Sequence, residues 1–131
     1  MQVKHRDQRV GIFIDIQNLY HSAKNLYRAR VNYPELIKEL VSNRQLIRAI
    51  GYVVRSENPE SVTSLEAAFF AALNKSGVEL RIKDLQIFPD GMKKADWDIG
   101  MAVDAIRMAD MMDVVILVTG DGDFLPLVEY L

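Results

Sequence analysis

The sequence predicts a three-layer α/β/α sandwich built on a central, mostly parallel sheet. Two observations predict this fold class. Short apolar runs rich in β-branched residues recur along the chain, and each is too brief for a helix. Between them lie longer segments whose apolar residues follow helical spacing. Strands that alternate with helical crossovers are typical of a parallel sheet covered by helices on both faces.

The predicted strands are residues 10–16 (VGIFIDI), 46–54 (LIRAIGYVV), 78–88 and 114–119 (VVILVT). The third segment has apolar residues at alternate positions, Val78, Leu80 and Ile82, and we expect it to lie nearer an edge of the sheet. The first and fourth segments are strongly apolar, so we expect both of them to lie centrally.

Helices are predicted for residues 19–28, 34–41, 59–75, 97–111 and from Asp123 onwards. Asn18 and Asp96 stand where the cap of the following helix is expected, and for Asp96 a role as a metal ligand is about equally favoured. Pro34 and Pro59 suit the first turn of a helix, and Gly77 suits the end of one. The predicted order of elements is therefore β-α-α-β-α-β-α-β-α.

Composition limits the size and the chemistry of the protein. The 131 residues suffice for one domain. The chain has no cysteine, which excludes disulfides, zinc–thiolate sites and cysteine nucleophiles and fits a reducing compartment. Its histidines, His5 and His21, cannot form an HExxH zinc motif. The net charge of −2 gives no overall basic field, so a contact with nucleic acid needs a local patch.

The chain shows no targeting or anchoring pattern. Residues 1–9 are polar and basic, without the apolar stretch of a secretory signal. No apolar run approaches the ~20 residues that a membrane span requires. We therefore expect a cytoplasmic protein in which a basic extension, residues 1–9, precedes a single domain, residues 10–131.

Acidic residues stand where predicted strands end. Asp15 ends the first strand, and Asp121 and Asp123 directly follow the fourth. Asp98 opens the helix that leads into the fourth strand. In an open parallel sheet, functional groups gather at the carboxyl ends of the strands, above all at a switch point where crossovers diverge. If the first and fourth strands are neighbours, Asp15 and Asp121 converge there, and Asp98 approaches from the same edge.

A divalent cation would make this cluster of carboxylates tolerable. Ionised carboxylates at one point repel and raise one another's pKa, and a hard cation removes the repulsion. Mg²⁺ takes a few carboxylates, keeps waters and leaves room for phosphate oxygens. Such an ion lowers the pKa of a bound water for attack on a phosphodiester, and this chemistry needs neither histidine nor cysteine.

Each acid also has a purely structural interpretation. The helix dipole favours Asp98 at a helix start, and Asp121 suits a turn or a helix cap. Asp15 could hold a neighbouring loop, and Asp123 could merely orient Asp121. Asp104 lies six residues after Asp98, about 240° further round the helix, so the two cannot both face one ion directly. We interpret Asp104 as a hydrogen-bonded structural acid, with a supporting role behind the metal ligands as the less favoured alternative.

Polar and basic residues near these acids are candidates for holding a substrate. Asn18 could bind a phosphate or orient Asp15, with helix capping as the alternative. Lys93 and Lys94 precede the acidic helix and could contact a phosphate backbone, although exposed lysines in a loop are usually just solvated. Further candidates for phosphate contacts are Arg6, Arg9 and Arg28.

Three motifs follow one another along the chain: IDIQNL at residues 14–19, DIGMAVDA at residues 98–105 and TGDGDF at residues 119–124. Together they resemble the NYN domain family, the LabA-like group of PIN-like proteins, over nearly the whole chain. The resemblance implies a PIN-like fold and a ribonuclease site that depends on Mg²⁺ or Mn²⁺ and leaves a 5′-phosphate. It matches Asn18 to the asparagine after the family's first acid, and its metal-binding acids match Asp15, Asp98, Asp121 and Asp123.

Two features depart from the family's pattern. A lysine–glycine pair commonly precedes the middle acid, whereas this sequence has KADW at residues 94–97. The family's domain also usually continues past GDxDF through a helix into one more strand, and this sequence ends at Leu131 within that helix. We therefore expect that an edge strand of the sheet is not part of this sequence.

The sequence supports three hypotheses about function. The leading hypothesis is a metal-dependent endoribonuclease that acts on structured or single-stranded RNA. The second is a non-catalytic RNA-binding or regulatory module that retains the acidic pocket. The third, a phosphohydrolase of small molecules, is disfavoured because no phosphate-cradling glycine loop occurs beyond residues 120–122. RNA is the expected partner, and a homodimer stays open because PIN-like domains often pair.

Overall fold

The computed structural model describes residues 5–16, 18–19, 31–55, 64–84, 86–87, 93–94, 98–119 and 128. Within this part of the chain, a central parallel sheet is covered by helices on both faces. The α/β class predicted from the sequence is therefore confirmed. The predicted helices at residues 19–28 and 123–131 lie almost entirely outside the described residues, and so does the expected cap at Asp96.

The described strands are β1 (Arg9–Asp15), β2 (Gln45–Arg55), β3 (Glu79–Asp84), β4 (Gln86–Ile87), β5 (Lys93–Lys94) and β6 (Val114–Val118). Four of them form the central sheet in the order β3-β2-β1-β6, and every neighbouring pair is parallel. The two short strands, β4 and β5, pair with each other in a separate antiparallel hairpin.

Strand β1 is the centre of this sheet. It pairs with β2 on one side and with β6 on the other, and its residues 10–14 are buried. Continuous apolar sequence is typical of a parallel strand that is covered on both faces. The expectation of a central first strand is confirmed. The same expectation for the fourth is wrong within the described sheet, where β6 is an edge strand and half-buried along its length.

Two helices, α1 (Tyr33–Val41) and α2 (Ser64–Lys75), cover one face of the sheet. The start of α1 follows the prediction, because the Asn32 side chain accepts the N–H of Glu35 at 3.2 Å and a proline occupies the first turn. After α2, Gly77 adopts a φ of +88°, a left-handed conformation that glycine accepts without strain.

The core on this face consists of alternate residues of β1 packed against the two helices. Side chains two residues apart in a strand point to the same face, so the helices meet a uniform aliphatic surface. The buried members are Val10, Ile12, Ile14 and Ile16 with Tyr33, Ile37, Ala49, Val53, Leu73 and Val78.

Helix α3 (Asp98–Met108) covers the opposite face and continues into a 3₁₀ turn, Ala109–Met111. Its core partners are Phe13 of β1 and Ile50 of β2. Gly11 allows the end of this segment to approach the sheet, because a β-carbon at position 11 would overlap the Sδ atom of Met112. None of the described helices combines the length and the hydrophobicity that crossing a bilayer would require.

One of two predicted element ends is wrong. Strand β3 ends at Asp84 instead of residue 88, because the following residues enter the antiparallel hairpin, where Ile87 pairs with Lys93. The helix predicted to reach about residue 111 is α-helical to Met108, and its last residues, Ala109–Met111, tighten into the 3₁₀ turn that often closes a helix, so this boundary is confirmed.

We predict that Ile12→Ala lowers the free energy of unfolding by about 2–5 kcal/mol, because Ile12 is fully buried in β1 and its removal leaves a cavity. The matched control is Ile82→Ala in the edge strand β3, where the side chain is 43% exposed; this change should cost about 1 kcal/mol or less. Urea denaturation of both variants measures the difference. Equal losses would contradict the central position of β1.

Candidate functional site

The carboxyl ends of β1 and β6 form the switch point of the sheet. The chain passes from β1 to β2 and then β3 on one side, whereas β6 lies on the other side of β1. Ile14 pairs with Val118, so the next residues of the two strands, Asp15 and Thr119, lie side by side at the carboxyl edge. The predicted adjacency of the first and fourth strands is therefore confirmed, and diverging crossovers are where open α/β sheets bind ligands.

Asp15 is half-buried and caps the helical residues that follow β1. Its Oδ1 atom accepts a hydrogen bond from the backbone N–H of Asn18 at 3.0 Å. A carboxylate that receives an N–H from the first helical turn satisfies a donor that has no partner within the helix. The expectation that Asn18 supplies the cap is wrong, because Asn18 is itself helical and Asp15 performs this role.

Helix α3 runs from the carboxyl edge of the sheet to its amino edge. Its last residue, Met108, places its Sδ atom 3.4 Å from Nη1 of Arg48 near the start of β2, and Met112 lies against Gly11 near the start of β1. The first residue of α3, Asp98, therefore lies at the carboxyl end of the layer. Asp15 follows Phe13 by two residues, so it belongs to the sheet face that α3 covers.

Asp104 is a buried carboxylate within this apolar layer. The Tyr52 hydroxyl donates to its Oδ2 atom at 2.8 Å, and Nε of Arg81 approaches the same oxygen at 3.0 Å. Burial raises the pKa of the Tyr52 hydroxyl far above its usual range, and the hydrogen bond to Asp104 raises it further. Asp104 is therefore hydrogen-bonded, as the sequence interpretation predicts.

No sequence pattern singles out Tyr52 and Arg81, yet both lie in register with Asp15. Asp15 pairs with Tyr52 across β1 and β2, and Tyr52 pairs with Arg81 across β2 and β3. Residues paired across parallel strands share a sheet face, so these three form one row beneath α3. The only sequence signals were a tyrosine inside an apolar run and an arginine in an alternating strand.

The predicted phosphate-binding residues divide between the two edges of the sheet. Lys93 and Lys94 form β5, which follows the carboxyl end of β3 and precedes α3. Arg9 starts β1, about 20 Å of strand away from Asp15. Its guanidinium is paired with Asp113 at 3.1 Å, which holds the pKa of that carboxyl below its usual range. The structure therefore places Arg9 at the amino edge of the sheet, away from Asp15.

Part of the predicted acidic cluster lies outside the residues that the structure describes. Asp121, Asp123 and Arg28 lie outside the described residues, and Asp98 is described by its backbone alone. Among the described side chains, no three acidic or histidine residues form a group that could hold a metal ion. The candidate donors are all carboxylates, and this chemistry fits a hard divalent cation such as Mg²⁺.

These features define an α/β protein of PIN-like type: a parallel sheet in the order β3-β2-β1-β6, helices on both faces and an acid at the switch point. The chain belongs to the NYN domain family, whose model matches residues 9–131. The family resemblance inferred from the three motifs is confirmed. NYN domains are generally nuclease-like, and their function is related to nucleic acids.

Two similar proteins extend over nearly the whole chain. The "low amplitude and bright protein LabA" of Synechococcus elongatus is 27% identical over 135 aligned positions, which cover 96% of this chain and 69% of that protein. The crystal structure of a protein of unknown function from Vibrio parahaemolyticus has a TM-score of 0.82 and 33% identity, with 99% of this chain and 76% of that chain covered. This structural similarity agrees with the PIN-like fold.

The cap at Asp15 yields a prediction for the metal-free protein. Asp15→Ala should lower the free energy of unfolding by about 0.5–2 kcal/mol, because the N–H of Asn18 loses its acceptor. Asp15→Asn keeps a side-chain oxygen at that place, so it should lower the free energy of unfolding far less. Urea denaturation in the presence of EDTA measures both variants. If alanine and asparagine were equally destabilising, the cap would not be what Asp15 contributes.

Proposed function

We propose that this protein is a metal-dependent ribonuclease that hydrolyses RNA phosphodiester bonds. One observation carries the proposal: Asp15 ends the central strand at the switch point, beside Thr119 at the end of β6. In the sequence, Asp121 and Asp123 follow Thr119 by two and four residues. Membership in a generally nuclease-like family supports the same conclusion.

We propose Asp15, Asp98, Asp121 and Asp123 as the acids that hold Mg²⁺ or Mn²⁺. Carboxylate oxygens are suitable ligands for both ions. The start of α3 brings position 98 to the carboxyl edge, on the sheet face to which Asp15 belongs. When bound, a divalent ion supplies an activated water and stabilises charge on phosphate oxygens.

Asn18, Lys93 and Lys94 are the proposed contacts to the RNA backbone. Asn18 follows Asp15 within the first helical turn, so it belongs to the same corner of the sheet. The lysines stand on the hairpin between the carboxyl end of β3 and the start of α3. Local positive charge at this edge would attract phosphates, although the whole chain carries a net charge of −2.

Metal binding should stabilise the folded protein. We expect Mn²⁺ or Mg²⁺ to raise the melting temperature, since an ion at a hundredfold excess over its Kd contributes about 2.7 kcal/mol. Asp121→Asn should abolish this increase while the metal-free variant stays folded, because it removes a repelling charge. The matched control is Asp110→Asn, an exposed acid of the 3₁₀ turn. If neither ion changed the melting temperature of the unsubstituted protein, this result would contradict the metal site.

Cleavage of labelled RNA tests the reaction itself. The original protein should cut RNA only with Mg²⁺ or Mn²⁺, and Asp15→Asn should reduce the rate by more than about 100-fold, because loss of even an outer residue of a metal site typically costs 10–100-fold. Asp110→Asn should cut normally. Tight binding of RNA without cleavage would instead favour a non-catalytic RNA-binding module. Hydrolysis of nucleoside monophosphates without RNA cleavage would favour a small-molecule phosphohydrolase.

A further inference from the structure

A cluster of the buried Tyr52 and Asp104 with the half-exposed Arg81 links α3 to the sheet by directed bonds. Asp104 is 8% exposed and Tyr52 is 1% exposed. Both bonds to Asp104 end on one atom, Oδ2, at 2.8 Å from the tyrosine hydroxyl and 3.0 Å from Arg81 Nε. Burying a carboxylate costs free energy unless hydrogen bonds of this kind compensate for it. The cluster therefore holds α3 at one position along its axis relative to β2 and β3.

The remaining contacts of α3 with the sheet restrict its axial position only weakly. The buried residues of this segment include Met101, Met108 and Met112. Methionine is unbranched and flexible, so it fills a space without dictating one arrangement. Hydrophobic burial has no preferred direction, whereas a hydrogen bond is lost when its donor and acceptor move apart by a fraction of an ångström. The polar cluster is thus the part of this interface that specifies the axial position of α3.

The axial position of α3 sets the position of Asp98. Asp98 is six residues before Asp104 on the same helix, about 9 Å along its axis towards the carboxyl edge. Tyr52 is also the strand partner of Asp15. One cluster therefore connects the element that carries Asp98 with the strand beside Asp15. A slip of one residue would move Asp98 by about 1.5 Å and turn it by about 100°.

We propose that Tyr52, Asp104 and Arg81 are positioning residues that hold Asp98 at the distance from Asp15 that a shared divalent ion requires. This inference rests on the proposed metal site, and it assigns to three residues a role that is separate from metal binding. None of them touches the ion. They act through α3, whose first turn they fix against the sheet.

The test compares Tyr52→Phe and Asp104→Asn with two control variants. Tyr52→Phe removes the hydroxyl and leaves the ring in the core. Ile50→Val trims a buried residue of the same layer without touching a polar group. Glu79→Gln weakens the neighbouring pair of Glu79 with Arg48, which joins β2 to β3 at 2.9 Å without including Asp104. These controls separate a general loss of stability from a loss of position.

The main measurement is the affinity for Mn²⁺ alone, from the electron paramagnetic resonance signal of the free ion. Tyr52→Phe and Asp104→Asn should raise the Kd about tenfold, as residues that support metal ligands typically do. The two controls should leave the Kd unchanged. Arg81→Lys should retain part of the affinity that Arg81→Gln loses, since it keeps the charge. The inference is overturned if the variants lower the melting temperature as Ile50→Val does while their Kd stays at the original value.

Hydrogen exchange separates this inference from the proposed function. The backbone amides of Met101 and Ala102, near the start of α3, should exchange about tenfold faster in Tyr52→Phe than in Ile50→Val, because the anchor of the helix is lost. If the original protein bound no Mn²⁺, the proposed function would fail, and faster exchange would still support the anchoring of α3. Unchanged exchange in both polar variants would overturn the anchoring itself.

Discussion

The pairing of β1 with both β2 and β6 is the interaction on which the rest of this molecule depends. Hydrogen bonds on both edges and apolar layers on both faces leave β1 no exposed side, so its chemistry is confined to its carboxyl end. The same pairing brings Asp15 beside Thr119, although the two are far apart in the sequence. Every later feature of the candidate site, from the capped helix to the start of α3, is positioned relative to this strand end.

The two faces of the sheet are stabilised in different ways. Branched aliphatic side chains on the α1 and α2 face interlock, and their shapes alone restrict how those helices pack. The α3 face combines flexible methionines with one buried carboxylate, whose Oδ2 atom is bonded to Tyr52 and Arg81. Removing one hydrogen-bond partner of such a group costs more free energy than the bond itself contributes, because a buried polar atom is left without that partner. Orientation on this face therefore depends on few atoms, close to the place where the proposed function requires it.

Local pattern was enough to predict the class of fold, because strands such as β1 and β6 contain continuous apolar runs and α1 is amphipathic with a proline in its first turn. It failed where the outcome depends on partners distant in sequence. The end of β3 depends on a hairpin pairing, and the row that joins Asp15 with Tyr52 and Arg81 depends on strand register. Asp15 and Asn18 are both able to cap a helix, and only the folded backbone decides between them.

The cap at Asp15 has a consequence for the proposed metal site. A carboxylate that accepts an N–H at a helix start is held in one orientation by that hydrogen bond. The Asp15 side chain is therefore oriented before any cation arrives, and binding does not have to order it. Since association is weakened by every group that it must immobilise, a ligand already fixed by the fold strengthens binding without a new contact. The structural and the proposed functional interpretations of Asp15 are thus compatible, because the cap would hold this acid ready for the proposed ion.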